Sequence, residues 1–153
     1  MSIFDTLRIA ASGLTAQRLR MDVASSNIAN AQSTRNAGGT GPYAPQSPVF
    51  RADPAAGTAI ARIGSFEGGL NPVAGAAPGV AASAIVTPNR PPLKVYDPTH
   101  PDADADGFVL YPDVDIAAEM ADLMGAARSY SLNATVTASV KQVALDAIEI
   151  GRG

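Results

Sequence analysis

A seven-residue recurrence of apolar side chains fills the first thirty positions and limits what this chain can fold into. Leu7, Leu14, Met21 and Ile28 fall one heptad apart, and so do Ile3, Ala10, Gln17 and Ala24. Interleaved at three- and four-residue steps, the two rows make an a/d seam on one side of an α-helix. Ser2 suits the N-cap, with Asp5 three residues on, and Asn27 and Asn30 suit the far end. No Pro interrupts the run, which at about 1.5 Å per residue would make a rod roughly 40 Å long. A helix that long and narrow cannot bury its own stripe, so the chain needs a partner helix.

The sequence supplies one at its other end. After Pro112, Asp113 or Asp115 can cap a second helix, 116–150 contains no Pro, and Gly151 and Gly153 can stop it. Ile116, Met120, Leu123, Ala127, Tyr130 and Ala134 form one row at helical spacing. Leu132, Val136, Val140, Val143, Ala147 and Ile150 form another. The second row is offset from the first, which implies a rotated packing face or a stutter. The Thr and Val content of SLNATVTASV lowers helix propensity and allows a break near Asn133. Gly13 and Gly125, each costing about 1 kcal/mol relative to Ala inside a helix, suggest close approach between helices.

Between these ends the character changes. Residues 31–48 hold three Gly and three Pro and read as a loop. Short apolar runs follow at 49–50, 59–63, 80–87, 93–96 and 108–111, each bounded by Gly, Pro, Asn or Asp, as short strands are. Residues 53–79 are of low complexity and rich in Gly and Pro. The expected plan is α+β and mostly helical. A helix over 1–30, a loop and small irregular β-rich insert over 31–112, and a helix over 113–153 make up the chain, the terminal helices pairing as a coiled coil or bundle.

Composition supports assembly over a self-contained core. Aromatics make up 5% of the 153 residues, Trp is absent, and the 46% hydrophobic content is carried largely by Ala and Val. Large side chains contribute most burial energy, about 1.5 to 3 kcal/mol each, so the core is thin for the length. A net charge of −3 with no basic patch does not point to nucleic acid. The N-terminus lacks a basic segment followed by an uninterrupted apolar run, and no stretch of about 18 apolar residues occurs. The expectation is a chain without a cleaved signal peptide or a membrane span.

Three stretches invite a chemical reading. Asp102, Asp104 and Asp106, followed by Gly107 and with Asp113 at the twelfth position, overlay the D-x-D-x-D-G calcium loop of EF-hands. The twelfth position should be Glu, however, and Pro98 and Pro101 break the helix that should enter the loop, so a solvated acidic turn is preferred. His100 is the only His and Cys is absent, which leaves no zinc set, and no G-x-S-x-G elbow presents a nucleophile. Gly38, Gly39 and Gly41 lack the Lys and the strand-to-helix setting of a phosphate loop. No catalytic residue, cofactor or small-molecule substrate is expected. The alternative reading is a coiled-coil interaction module with a calcium-stabilised acidic loop.

The motifs resemble a known family. Ala11-Ser12-Gly13-Leu14 followed by Asn27-Ile28-Ala29-Asn30 is similar to the terminal signature of bacterial flagellar axial proteins. SGLTAQRLRMDVASSNIANAQSTR, GPYAPQSPVF, VYDPTHPDADADGFVLYPDVD, EMADLMGAARSYSLNATV and ALDAIEIGR resemble, within that family, basal-body rod proteins of the proximal rod. The resemblance implies a structural protein without catalysis, located in the basal body and exported uncleaved by the flagellar type III apparatus. It also implies helical assembly with itself and other rod proteins. The residues expected to carry assembly are Leu7, Leu14, Met21, Ile28, Met120, Leu123, Val136, Val140, Val143 and Ile150.

Overall fold

A computed structural model describes residues 3–36, 38, 41–53 and 79–152. Its elements are helix α1 (Ile3–Ala29), strands β1 (Ser47–Asp53), β2 (Gly79–Val86), β3 (Leu93–Tyr96) and β4 (Phe108–Tyr111), and helix α2 (Ile116–Arg152). The expected α+β, mostly helical plan is therefore present, with long terminal helices and a small β-rich region between them. Four of the five expected strand segments are strands. The fifth, 59–63, lies outside the described residues, as do Ser2, the expected N-cap, and most of the low-complexity stretch. Gly79, the last residue of that stretch, is buried and opens β2.

Contacts divide the chain into two compact units. One comprises residues 1–19, 50–83 and 126–153, and the other 20–49 and 84–125.

In the second unit α1 and α2 run antiparallel, since Arg20 pairs with Asp122 at 2.6 Å and Asn27, one heptad on, bonds to Glu119 at 2.9 Å. Asp115 is the N-cap of α2: its Oδ1 accepts the N–H groups of Ala117 and Ala118 at 2.9 and 3.2 Å. Asn30 closes α1 as expected, its Nδ2 donating to the Ser26 carbonyl at 2.9 Å. Strands β3 and β4 pair antiparallel from Leu93 opposite Tyr111 to Tyr96 opposite Phe108. Val109 of β4 is almost fully buried, and the Tyr96 and Phe108 rings meet edge to face at 5.3 Å. The connecting loop closes through Gly107, whose φ of +78° is open to Gly at no steric cost.

In the first unit an ideal Cβ on Gly13 would lie 2.8 Å from Asn133 Nδ2, so the expected close approach occurs there. At Gly125 a Cβ would meet nothing within 4 Å, and the same expectation fails. Helix α2 does not break near Asn133. The Thr135 and Thr137 hydroxyls donate to the carbonyls of Ser131 and Asn133, four residues back, at 3.0 and 2.9 Å. Bonding within the helix thus absorbs the polar groups that could compete with it. The helix also passes through Gly151 to end at Arg152.

The buried residues of both helices are mostly small: Ala10, Ala16, Val23, Ala24 and Asn27 on α1, and Ala126 on α2. Of the two heptad rows read from the sequence, one has Ala10 and Ala24 buried, Gln17 half-buried and Ile3 exposed, whereas Leu7, Leu14, Met21 and Ile28 are all half-buried. Contacts between α1 and α2 include that of Gly13 in the first unit and those of Arg20 and Asn27 in the second, positions one heptad apart. Small side chains let two backbones approach closely, and that approach displaces the bulkier row from the contact.

Candidate assembly surfaces

Near the start of α2 the inward residues are Glu119 and Leu123, and each is followed by an exposed methionine, Met120 (52% exposed) and Met124. Ile116, one turn before Met120, continues that row and is also exposed. In the C-terminal half the half-buried residues include Asn133, Thr137, Val140 and Ala144, and three of these, Asn133, Thr137 and Ala144, are preceded by an exposed apolar one, Leu132, Val136 and Val143. Ile150 extends this row at 82% exposure. Relative to its own inward residues, the first apolar row therefore lies on one flank of the helix and the second on the other. That is the physical content of the phase offset seen in the sequence.

Among the ten residues expected at the assembly interface, Met120, Val136, Val143 and Ile150 are exposed. Leu7, Leu14, Met21, Ile28, Leu123 and Val140 are half-buried. Phe4 and Ile3 add exposed apolar surface at the start of α1. Several of the largest apolar side chains thus face outward while the most buried helix positions are Ala, Val and Asn, the reverse of a self-sufficient pair of helices.

Asn27 does not end α1, as its position in the sequence suggested. It lies within the helix, 1% exposed. Its Oδ1 accepts the Gln46 N–H and the Tyr43 hydroxyl, both at 2.9 Å, and its Nδ2 donates to the Gln46 carbonyl at 2.8 Å and to Glu119 Oε1. One side chain therefore joins the end of α1, the residue before β1 and the first turn of α2. The sequence signal that could have found this role is an Asn one heptad beyond Arg20 and two beyond Gly13, a row with no apolar residue and so no part of the hydrophobic seam.

In the acidic turn and at Asp113, carboxylates of the calcium-loop pattern bond to other groups of the protein. Thr34 Oγ1 donates to Asp102 Oδ2 at 2.7 Å, and the other Asp102 oxygen meets the Arg35 guanidinium. These two partners, the Thr34 hydroxyl first, hold the Asp102 carboxyl below its ordinary 3.8. Asp104 Oδ1 accepts the N–H groups of Asp106 and Phe108 at 3.0 and 2.8 Å, and Asp113 lies 3.9 Å from Arg90. These carboxylates are engaged by different donors within the protein. Among the described residues no group of three or more His, Cys, Asp or Glu is placed to hold a metal ion. His100 is half-buried, its Nδ1 accepting the Asp102 N–H at 3.1 Å and its ring 6.3 Å from Tyr111. No helix among the described residues is long and apolar enough to cross a membrane.

Paired terminal helices with outward apolar flanks, joined by a hydrogen-bonded side-chain junction, describe a component suited to assembly. Sequence comparison agrees with that class. The family described as "Flagella basal body rod protein" matches residues 7–37, and that described as "Flagellar basal body rod FlgEFG protein C-terminal" matches residues 105–150. The chain is 38% identical to the flagellar basal-body rod protein FlgC of Bacillus subtilis and 35% to that of Salmonella typhimurium, each over 152 residues covering 99% of this chain and all of the relative. It is 37% identical to the FlgC protein of Borreliella burgdorferi over 163 residues, covering both chains in full. The chain belongs to the FlgC family of flagellar basal-body rod proteins and is a structural component of the rod in the flagellar basal body. The calcium-dependent interaction module is thereby set aside.

Proposed function

We propose that the exposed apolar rows of α2, with the half-buried Leu7, Leu14, Met21 and Ile28 row of α1 beside them, are the surfaces through which this chain packs against its neighbours in the rod. Leu123 and Val140 belong to the same packing layer. The observation that carries the reading is the inversion described above, with small residues inside the pair and Met120, Val136, Val143 and Ile150 outside it. Each large side chain covered on assembly contributes about 1.5 to 3 kcal/mol, so a handful of them supplies a substantial driving force. The neighbours are further copies of the chain and other rod proteins. Two unlike flanks favour contacts in which one flank meets a different surface on the next subunit, and such contacts generate open helical arrays unless they close into a ring.

In this reading the helices form a stiff layer that transmits torque and lines the export channel, because close-packed interfaces deform little. The chain has no catalytic role and reaches the rod through the flagellar type III export apparatus. Cell fractionation tests the export step: the chain should stay in the cytoplasm when the apparatus is inactivated, and its continued arrival in the rod would remove the apparatus as a partner.

Met120→Asp and Val136→Asp test the assembly surfaces. Both side chains are exposed, so a carboxylate there costs the free chain little, but buried and unpaired in an interface it costs several kcal/mol. The purified variants should keep the parent circular dichroism spectrum, and cells producing them should make no rods visible by electron microscopy of basal bodies. Normal rods from both variants would defeat the proposal.

A further inference from the structure

We infer that Asn27 and Glu119 form a latch, through which docking of the first turn of α2 on α1 fixes the backbone at Gln46 where the chain enters the insert. A primary amide has two N–H donors and two acceptor lone pairs, and Asn27 uses all four. Two of the bonds go to the N–H and C=O of the same residue, Gln46, so the amide holds one peptide position as a neighbouring strand would. Strand β1 starts at the next residue.

The partners lie far apart in sequence, 19 residues on for Gln46 and 92 for Glu119. Their bonds to the amide are not independent. Donation from Nδ2 to a carboxylate is charge-assisted and draws electron density toward Oδ1, which strengthens that oxygen as acceptor for the Gln46 N–H and the Tyr43 hydroxyl. Without α2 in place, a buried Asn27 N–H has no acceptor. The amide then lowers its energy by turning toward water, and that rotation breaks its hold on Gln46. Order at the entrance to the insert thus follows pairing of the terminal helices. Glu119 is a positioning residue that acts through Asn27.

An Asp at position 27 would lack the two donors, and a Ser could not span both Gln46 atoms and Glu119. The chemistry requires a carboxamide at this point.

Amide hydrogen exchange on the full-length chain, read by NMR for Glu119→Ala and Glu119→Gln, tests the latch. The Ala variant should speed exchange of the Gln46 N–H roughly ten- to a hundredfold, the effect of losing one bond to a charged group. The Ala117 N–H, bonded to Asp115 at the start of α2, should keep its parent rate and so report that the helix has not frayed. The Gln variant retains an Oε1 acceptor and should restore most of the Gln46 protection. Unchanged Gln46 exchange in the Ala variant would overturn the inference. So would equal acceleration at Ala117, or a Gln variant as fast as the Ala variant.

Discussion

Gly107→Ala isolates what the left-handed turn between β3 and β4 requires. At a φ of +78°, any residue with a Cβ gives up about 1 to 2 kcal/mol to backbone strain. The new methyl would also stand 3.0 Å from Tyr96 Cε2 and 3.3 Å from Pro98 Cβ. Overpacking costs typically run from about 1 to 3 kcal/mol, and the low end applies here because the Tyr96 ring is mostly exposed and can give way. The two terms sum to roughly 2 to 3 kcal/mol, or about 30- to 150-fold in the opening equilibrium. Gly41 is the internal comparison, with a φ of +83° and nothing within 4 Å of an ideal Cβ. Gly41→Ala should cost only the backbone part, roughly 5- to 30-fold. The assay is hydrogen exchange at the amides these turns hold: Asp97, whose N–H donates to the Gly107 carbonyl, and Asn36, whose N–H donates to the Gly41 carbonyl. Gly107→Asn separates the terms, since Asn tolerates the left-handed region but keeps the methylene contact. If Gly107→Ala left Asp97 exchange at the parent rate, or perturbed its turn less than Gly41→Ala does its own, the reasoning about Tyr96 and φ would be refuted.

Other expectations concern charge and helix packing. Because the Thr34 hydroxyl holds the folded Asp102 carboxyl below 3.8, its contribution to stability is present above that pH and is lost as pH falls through the lower folded value. Thr34→Val should move the Asp102 midpoint upward in a carboxyl-carbon NMR titration, and an unmoved midpoint would remove Thr34 as the cause. Arg20→Ala breaks a partly exposed ion pair and should change the urea midpoint by less than about 1 kcal/mol equivalent, while a larger loss would mean that Arg20 is part of the packing. Isolated helices draw most of their stability from a packed apolar face, and here the large residues of both rows lie partly or wholly outside the intrachain contact. Away from the Asn27 junction, the terminal helices should therefore exchange rapidly in the free monomer and become protected on assembly; strong protection throughout 7–19 in a species shown to be monomeric would refute this. Leu14→Asp should leave the monomer spectrum nearly unchanged and block incorporation into the rod, and normal incorporation would exclude Leu14 from the interface.

How far the chain could be read without its structure depends on how local each signal is. Two Pro-free runs with heptad spacing specify long terminal helices, because periodicity and the absence of a breaker act within a few turns. Strands β1 to β4 were legible because Gly, Pro, Asn and Asp bound short apolar runs, and Asn30 and Asp115 as helix ends follow from side chains bonding to their own neighbouring backbone. Which apolar residues the two helices bury against each other was not legible: the Leu7, Leu14, Met21 and Ile28 row is only half-buried, while Met120, Val136 and Ile150, expected at the assembly interface, are exposed. Nor could Asn27 be recognised as a junction, because its four bonds are defined by residues 16, 19 and 92 positions away, which only the tertiary structure brings together. The acidic turn shows the same limit in reverse: D-x-D-x-D-G names a calcium loop by spacing alone, while Thr34 and Arg35, distant in sequence, claim the Asp102 carboxylate. Local periodicity and turn chemistry determined the elements of this protein. Contacts between distant residues decided which faces meet, because close approach selects small and hydrogen-bonding side chains over the most hydrophobic ones.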